Sequence, residues 1–305
     1  MDYLVANNIY KKYANHTALR DVSINVPKQS IYGLLGPNGA GKTTFLRIIN
    51  QIIGPDEGTV FINGEKLNPN HISIIGYLPE ERGLYKKMKV GEQALYLARL
   101  KGLSQKEALE KLKYWFEKFD IIQWWDKKVE ELSKGMQQKI QFIVTILHNP
   151  KLLIFDEPFS GFDPINVNII TEEILNLRNN GATIIFSTHI MSSVESLCDN
   201  MALINNSQKI LEGKVSDIKN QNKQGIFNIH IDGKFENLSE INEVFTIKGN
   251  YFDGNKTILN VKANKEITAN EAIKYWINNA NICSFNEVLP SIHDIFVNKI
   301  KEKNS

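Results

Sequence analysis

Apolar positions follow three textures along the chain. From Tyr3 to Leu35 they come in short runs: Val22 to Val26 alternates apolar and polar, and Ser30 to Leu35 is nearly all apolar. Alternation marks a strand with one buried face, and a short continuous run marks one buried on both. This region therefore reads as short strands joined by turns. Thr43 to Ile53 reads as a helix closed by Gly54. Thr59–Ile62 and Ile72–Leu78 read as a further strand pair, the first turning at Asn63-Gly64. Between Val90 and Leu132 the period becomes helical. Ser104-Gln105-Lys106-Glu107 forms a capping box, after which Ala108, Leu109, Leu112, Trp115, Phe116 and Phe119 recur at helical spacing. Core packing is the ordinary duty of these aromatics and of Trp124 and Trp125 beyond them; the alternative is a docking surface for a partner.

Leu152–Phe155 and Thr183–Ser187 are apolar runs with helical segments in front of them, the pattern of parallel strands buried on both faces. That alternation predicts an open α/β sheet. Past residue 222 the texture changes again: Gly225–Gly233 and Thr257–Val261 read as strands, Asn270–Asn278 as a helix, and Pro290–Ile300 as a closing amphipathic helix. With Asp217–Lys223 as a polar linker, the predicted organisation is a domain over 1–222, carrying a helical subdomain over about 90–135, and a small α+β accessory domain over 223–305.

Composition narrows the function classes. The 305 residues are 42 % hydrophobic and 23 % charged, ordinary for a chain that buries a core, and the net charge is +2. So weak a field gives no support to nucleic acid as a partner, nor to an anionic membrane surface. No apolar run approaches the length needed to cross a bilayer, and the first residues lack the pattern of a signal peptide. A cytoplasmic protein is expected, any membrane role coming through a partner. Cys198 and Cys283 are far apart and lack metal-ligand spacing, so two unpaired buried thiols are expected.

The chemistry concentrates in two places. Gly36-Pro37-Asn38-Gly39-Ala40-Gly41-Lys42-Thr43 joins a strand to a helix, with Thr44 next in the helix's first turn. Phosphates need many donors close together, and backbone N–H groups supply them where glycines keep side chains away and a helix N-terminus adds positive charge. Lys42 then reaches the β and γ phosphates, and Thr43 offers its hydroxyl to Mg²⁺. Lys151 to Glu157 is the second place, a buried strand delivering two carboxylates at the edge where open α/β sheets bind ligands. Asp156 is expected to hold Mg²⁺ through water, and Glu157 to polarise the attacking water. His189 ends the next strand at the same edge, placed to sense a γ-phosphate.

Leu132-Ser133-Lys134-Gly135-Met136 heads a further helix, which Ser133 is placed to cap. Beside the phosphate loop and Asp156-Glu157, this segment resembles the signature motif of ABC ATPases, and the resemblance covers about residues 3–215. It implies a P-loop NTPase core with antiparallel β and helical subdomains, and ATP with Mg²⁺ as the nucleotide and metal. Tyr13 matches the aromatic that stacks on adenine, Glu80 stands where the Q-loop glutamine belongs, Ser160 to Asp163 matches the D-loop, and His189 the switch histidine. The signature departs from the usual pattern at Lys134 and Met136. Those departures, Leu78-Pro79-Glu80-Glu81-Arg82-Gly83-Leu84-Tyr85, and Pro290 to Phe296 resemble the sodium-extrusion (NatA-like) branch, which carries an extra C-terminal domain.

The resemblance implies two copies, or this chain and a homologous ATPase subunit, pairing head to tail so that each Ser133 caps the γ-phosphate in the other's loop. It also implies a polytopic permease above the pair, with the chain peripheral on the inner face of the cell membrane. Glu80 beside Mg²⁺ becomes a candidate water-mediated metal ligand. The alternative from another class is a mechanical regulator of a membrane protein that moves no cargo.

Overall fold

Two long strands, β1 (Asp2–Tyr13) and β2 (His16–Pro27), open the chain where short ones were expected. Register shifts interrupt their alternation without ending them, and Asn8 and Asp21 sit at φ 49° and 52° along them. β3 (Ile31–Leu35) enters a different sheet, while β4 (Glu57–Ile62) and the two-residue β5 (Glu65–Lys66) complete an antiparallel sheet in the order β2-β1-β4-β5. The computed structural model describes residues 1–81, 83–235, 241 and 243–304; Arg82 of the motif above lies outside the described residues.

Helix α1 (Lys42–Ile49) stops short of the predicted Ile53. The Asn50 amide donates to the Leu46 carbonyl at 2.8 Å, and Gln51 turns to φ 56°. The predicted strand from Ile72 is half 3-10 helix, Pro69–Ile74, leaving β6 as Ile75–Leu78. Asn68 decides this by accepting from the Asn70 N–H at 3.0 Å ahead of a φ-restricted proline. The helical region resolves into α2 (Val90–Leu100) and α3 (Gln105–Lys118), two 3-10 turns, and α4 (Lys134–Ile146). The predicted capping box is present: Glu107 N–H donates to the Ser104 hydroxyl at 3.3 Å, and Ser104 N–H to the Glu107 carboxylate at 3.0 Å. Phe116 is fully buried, and Trp125 packs on it at 5.3 Å between ring centres and against Gly91, where a Cβ would sit 2.2 Å from the indole. Phe119 is buried too, whereas Trp115, Trp124 and Trp125 are half-buried and Tyr114 stays exposed.

β7 (Leu152–Asp156), α5 (Pro164–Asn179), β8 (Thr183–Thr188), α6 (Met191–Leu197), β9 (Asn200–Asn205) and β10 (Gln208–Lys214) finish the first compact unit, Met1–Val215. Its second sheet runs β10-β9-β3-β8-β7-β6, parallel except for β10. Leu35 pairs with Thr188 and Asp156 with Ser187, so the C-terminal ends of β3, β8 and β7 stand level. The core is built from residues of both sheets and of α1, with Leu4, Ile9, Phe45, Leu46 and Ile154 all fully buried.

The second unit, Ser216–Ser305, begins within α7 (Val215–Gln221), where a linker was expected. β11 (Ile226–Asp232), β12 (Phe245–Phe252), β13 (Lys256–Ala263) and β14 (Ile282–Val288) form an antiparallel sheet in the order β12-β13-β11-β14, that of a ferredoxin-like sheet. β12 and β14 lie at its edges and were not foreseen. α8 (Ala269–Asn279) packs Trp276 into a core with Phe227 and Phe245, and α9 (Ile292–Asn304) closes the chain. Cys198 is buried as expected; Cys283, on edge strand β14, is exposed, correcting the second thiol.

Candidate nucleotide and metal site

The loop between β3 and α1 is shaped by backbone that crowds it. A Cβ on Gly36 would lie 2.1 Å from the Ile204 carbonyl, and one on Gly41 2.3 Å from that of Ala18. Both have left-handed φ, 151° and 110°, so glycine alone fits on two counts. The Ala40 N–H closes the turn on the Pro37 carbonyl at 3.2 Å. No side chain caps the start of α1, which leaves the positive end of its dipole open to an anion.

Lys42 is buried in this loop and donates to the carbonyls of Gly36 at 2.8 Å and Pro37 at 3.1 Å. Burial pulls its ammonium below the usual lysine value, while Glu157, Asp156 and Glu80 pull it back up. A cavity of about 340 Å³ opens beside it, lined by Tyr13, His16 and Ala18 at one end. Asn38, Gly39, Gly41, Lys42, Thr43, Thr44, Glu80, Asp156 and Glu157 line the rest. Ten residues singled out from the sequence thus meet in one place. Three carboxylates and one ammonium face this space, which favours neither a bare triphosphate nor any other lone anion.

Asp156 ends β7 almost wholly buried; its Oδ1 accepts from the Ser187 hydroxyl, and its Oδ2 has no hydrogen-bond partner among the described residues. Burial raises its carboxyl above the usual aspartate value, with Glu157 adding to the effect; the hydroxyls of Ser187 and Thr43 and the Lys42 charge act against it. Glu157 follows at φ 50°, a conformation that costs a non-glycine residue about 1–3 kcal/mol. Its N–H donates to the Ser187 carbonyl at 3.1 Å. Its Oε1 takes the His189 N–H at 2.9 Å and meets His189 Nδ1 at 2.7 Å, and its Oε2 takes the Thr188 hydroxyl at 3.2 Å. An ionised carboxylate only accepts, so Nδ1 carries the proton of that bond.

Tyr13 and His16 flank the two-residue turn of the β1–β2 hairpin and share its cavity-facing side. Tyr13 is 43 % exposed, free to receive a flat ring, with Lys11 Nζ 5.9 Å from its centre. Seven of the singled-out residues are not among those lining it: Gly36, Pro37 and Ala40 belong to the loop itself and His189 is bonded to Glu157, whereas Ser133, Gly135 and Asp163 belong to other segments. The Ser133 hydroxyl accepts from Met136 N–H at 3.3 Å and caps α4. A Cβ on Gly135 would stand 3.2 Å from the Gly161 carbonyl, so the start of α4 backs onto the Ser160–Asp163 loop. The Asp163 carboxylate caps α5 by accepting from the N–H groups of Ile165 and Asn166, each at 3.0 Å. Within one chain each of these last three has a structural duty. His16 and Ala18 were missed as lining residues, and Ser187 and Thr188 as the hydroxyls that hold the two acids. A signal for the last pair existed: two hydroxyl residues at the end of an apolar strand, just before His189.

Among known proteins, the ABC transporter family matches residues 19–160, and the family described as ATP-binding protein DrrA1-3-like, C-terminal domain, matches residues 213–300. The uncharacterized ABC transporter ATP-binding protein YhaQ of Bacillus subtilis (strain 168) is 41 % identical over 297 residues, covering 97 % of this chain and 98 % of that protein. The ABC transporter ATP-binding protein NatA of the same organism is 35 % identical over 205 residues, 66 % of this chain and 83 % of its own length. A solved structure of an ATP-binding subunit of an ABC transporter superposes with a TM-score of 0.67 at 31 % identity, covering 72 % of this chain and 92 % of that one.

Proposed function

Because this chain belongs to the ATP-binding proteins of ABC transporters, we propose that it is the ATP-hydrolysing motor of an exporter, driving a separate membrane permease through ATP-dependent closure of two such chains. The observation that carries this reading is the single cavity holding Lys42, Thr43, Asp156 and Glu157 at the level ends of β3 and β7.

The donor set fits Mg²⁺. A hydroxyl and carboxylates are hard oxygen ligands, the unpartnered Asp156 Oδ2 is an acceptor awaiting a partner, and the excess of carboxylates calls for a divalent cation beside the triphosphate. Thr43 would hold the ion directly, Asp156 and Glu80 through water; the ion would neutralise charge on the phosphates. Lys42 releases its two loop carbonyls to reach the β and γ phosphates, and the N–H groups at the start of α1 cradle them. Tyr13 stacks on the adenine.

Glu157 polarises the attacking water. In the present arrangement its oxygens already accept from His189 and Thr188, so the water takes the place of the ring Nδ1 donor at Oε1 as the His189 side chain turns towards the γ-phosphate, while the His189 backbone N–H keeps its bond to that oxygen. The base is thereby freed when nucleotide is in place. Ser133 of a second chain, with its Gly135 and Asp163 alongside, completes the far side of the γ-phosphate, and α2, α3 and the Glu80 loop receive the permease's cytoplasmic helices. No helix among the described residues is long and apolar enough to cross a membrane. Kinship with NatA and the DrrA-like C-terminal domain supports the export direction.

The test is capture of partners by tagged Glu157→Gln chain from solubilised source membranes with ATP and Mg²⁺. A polytopic membrane protein in the eluate is the expected result; only soluble proteins or nucleic acid would overturn the transport reading. A second measurement addresses Glu80: Glu80→Gln is expected to shift the Mg²⁺ concentration for half-maximal hydrolysis, and an unchanged dependence removes Glu80 from the metal's surroundings.

A further inference from the structure

α3 and α5 face each other across a cleft of about 490 Å³, with Tyr114 and Trp115 on one wall and Asn176 and Asn180 on the other. Lys118, the last residue of α3, bridges it. Its Nζ lies 2.6 Å from Glu173 Oε1 on α5, and 5.1 Å and 5.8 Å from the ring centres of Trp115 and Tyr114. The Glu173 side chain is only 8 % exposed against 35 % for Lys118, so the pair is a charge held inside and a long cationic arm reaching in to meet it. Such a carboxylate tolerates burial only while paired, which makes the contact directional in a way that apolar packing is not.

The same helices lead to the residues the cavity lacks. α5 begins at its Asp163 cap, two residues after Gly161, whose carbonyl backs Gly135. α3 runs through two short turns into Leu132 and Ser133. On α4, Lys139 is drawn to both Asp163 and Asp120, whose charges partly offset the effect of its burial. The α5 side therefore meets both neighbours, α3 through the Lys118–Glu173 pair and the head of α4 through the approach of Gly135 to the Gly161 carbonyl.

We propose that Glu173, acting through Lys118, is a positioning residue for the signature segment. The pair fixes α3 on α5 and so keeps Ser133 and Gly135 in register with the Ser160–Asp163 loop, the surface offered to a second chain's nucleotide. The proposal rests on the head-to-tail pairing put forward above. It assigns the pair no part in binding ATP within its own chain.

The experiment uses full-length Glu157→Gln chain as parent and reads two quantities: the ATP concentration for half-maximal pairing, by sedimentation velocity, and the affinity for a fluorescent ATP analogue at protein concentrations too low to pair. Adding Glu173→Gln or Lys118→Met is expected to raise the ATP needed for pairing about tenfold. Lys118→Arg, which keeps the charge and the reach, is expected to stay near the parent, and analogue affinity to remain unchanged in all. Should Lys118→Met fail to fold, Glu173→Gln and Lys118→Arg still decide the matter. Variants that pair like the parent, a loss of pairing matched by a loss of analogue affinity, or Lys118→Arg as impaired as Glu173→Gln would each overturn the proposal. A parent that never pairs would overturn the head-to-tail reading itself, and this proposal with it.

Discussion

The two ends of the nucleotide machinery are built differently within one chain. Around the phosphate loop, Lys42, Thr43, Asp156 and Glu157 already face a common cavity, with their charges arranged against one another. Ser133, Gly135 and Asp163 do not line it; each caps a helix or packs one against a loop. The first group is assembled by a parallel sheet whose strand ends stand level, and needs nothing from outside. The second is a surface kept in shape and left open. In the proposed reading, a site divided in this way ties chemistry to the association of two chains.

That contrast can be broken at either end. The largest effect is expected from Glu157→Gln: steady-state phosphate release falls by roughly 100-fold or more, while ATP binding at equilibrium survives. Full turnover in that variant would end its assignment as the base. Ser133→Ala is expected next, with turnover down about 10- to 100-fold and ATP affinity unchanged at protein concentrations too low for pairing. A weakened affinity there would put Ser133 in its own chain's site and erase the contrast.

Asp163→Ala removes the cap of α5, so a lowered melting temperature with intact single-chain ATP affinity is expected, checked by calorimetry and equilibrium binding. The N–H and amide of Asn166 hold the Asp163 carboxyl below the usual aspartate value. A depressed carboxyl contributes stability above its unfolded pKa and loses it as pH falls through the folded one, so the difference between variant and parent should shrink in acid.

The smallest effect lies just past the far end of α4, where burial, with Lys101 and Lys111 adding repulsion, lowers His148 to about 4. Its contribution is complete above the unfolded value of about 6.5 and is lost as pH falls towards 4. His148→Gln should flatten the fall in melting temperature across that window; an unaltered slope would assign the acid sensitivity elsewhere.

Much of the cavity was legible in the sequence because its chemistry is local. Gly36 to Thr43 must be glycine-rich, end in Lys-Thr and open a helix, and all of that fits in one short stretch. Asp156-Glu157 is similar, two acids ending an apolar run. His16 and the Ser187–Thr188 hydroxyls escaped because their roles arise only when strands distant in the chain become neighbours. The fold was misjudged where a side chain overrode a pattern: Asn50 ended α1 early, and Asn68 with Pro69 turned the start of a predicted strand into a 3-10 turn. β12 was missed because it is an edge strand, exposed from Lys248 to Phe252, and so carries little of the alternation that burial imposes.

By itself the sequence determined the candidate chemistry: a glycine-rich loop opening a helix, a pair of acids, a histidine and a capping serine, each specified by residue types at short spacing. The tertiary structure decided their company. It gathered Tyr13 and Glu80 with Asp156 from three separate strand ends, tied Glu157 to His189, and kept Ser133 apart. Those outcomes depend on strand order and on which helix lies beside which, and both are set by packing between distant segments that no local pattern records.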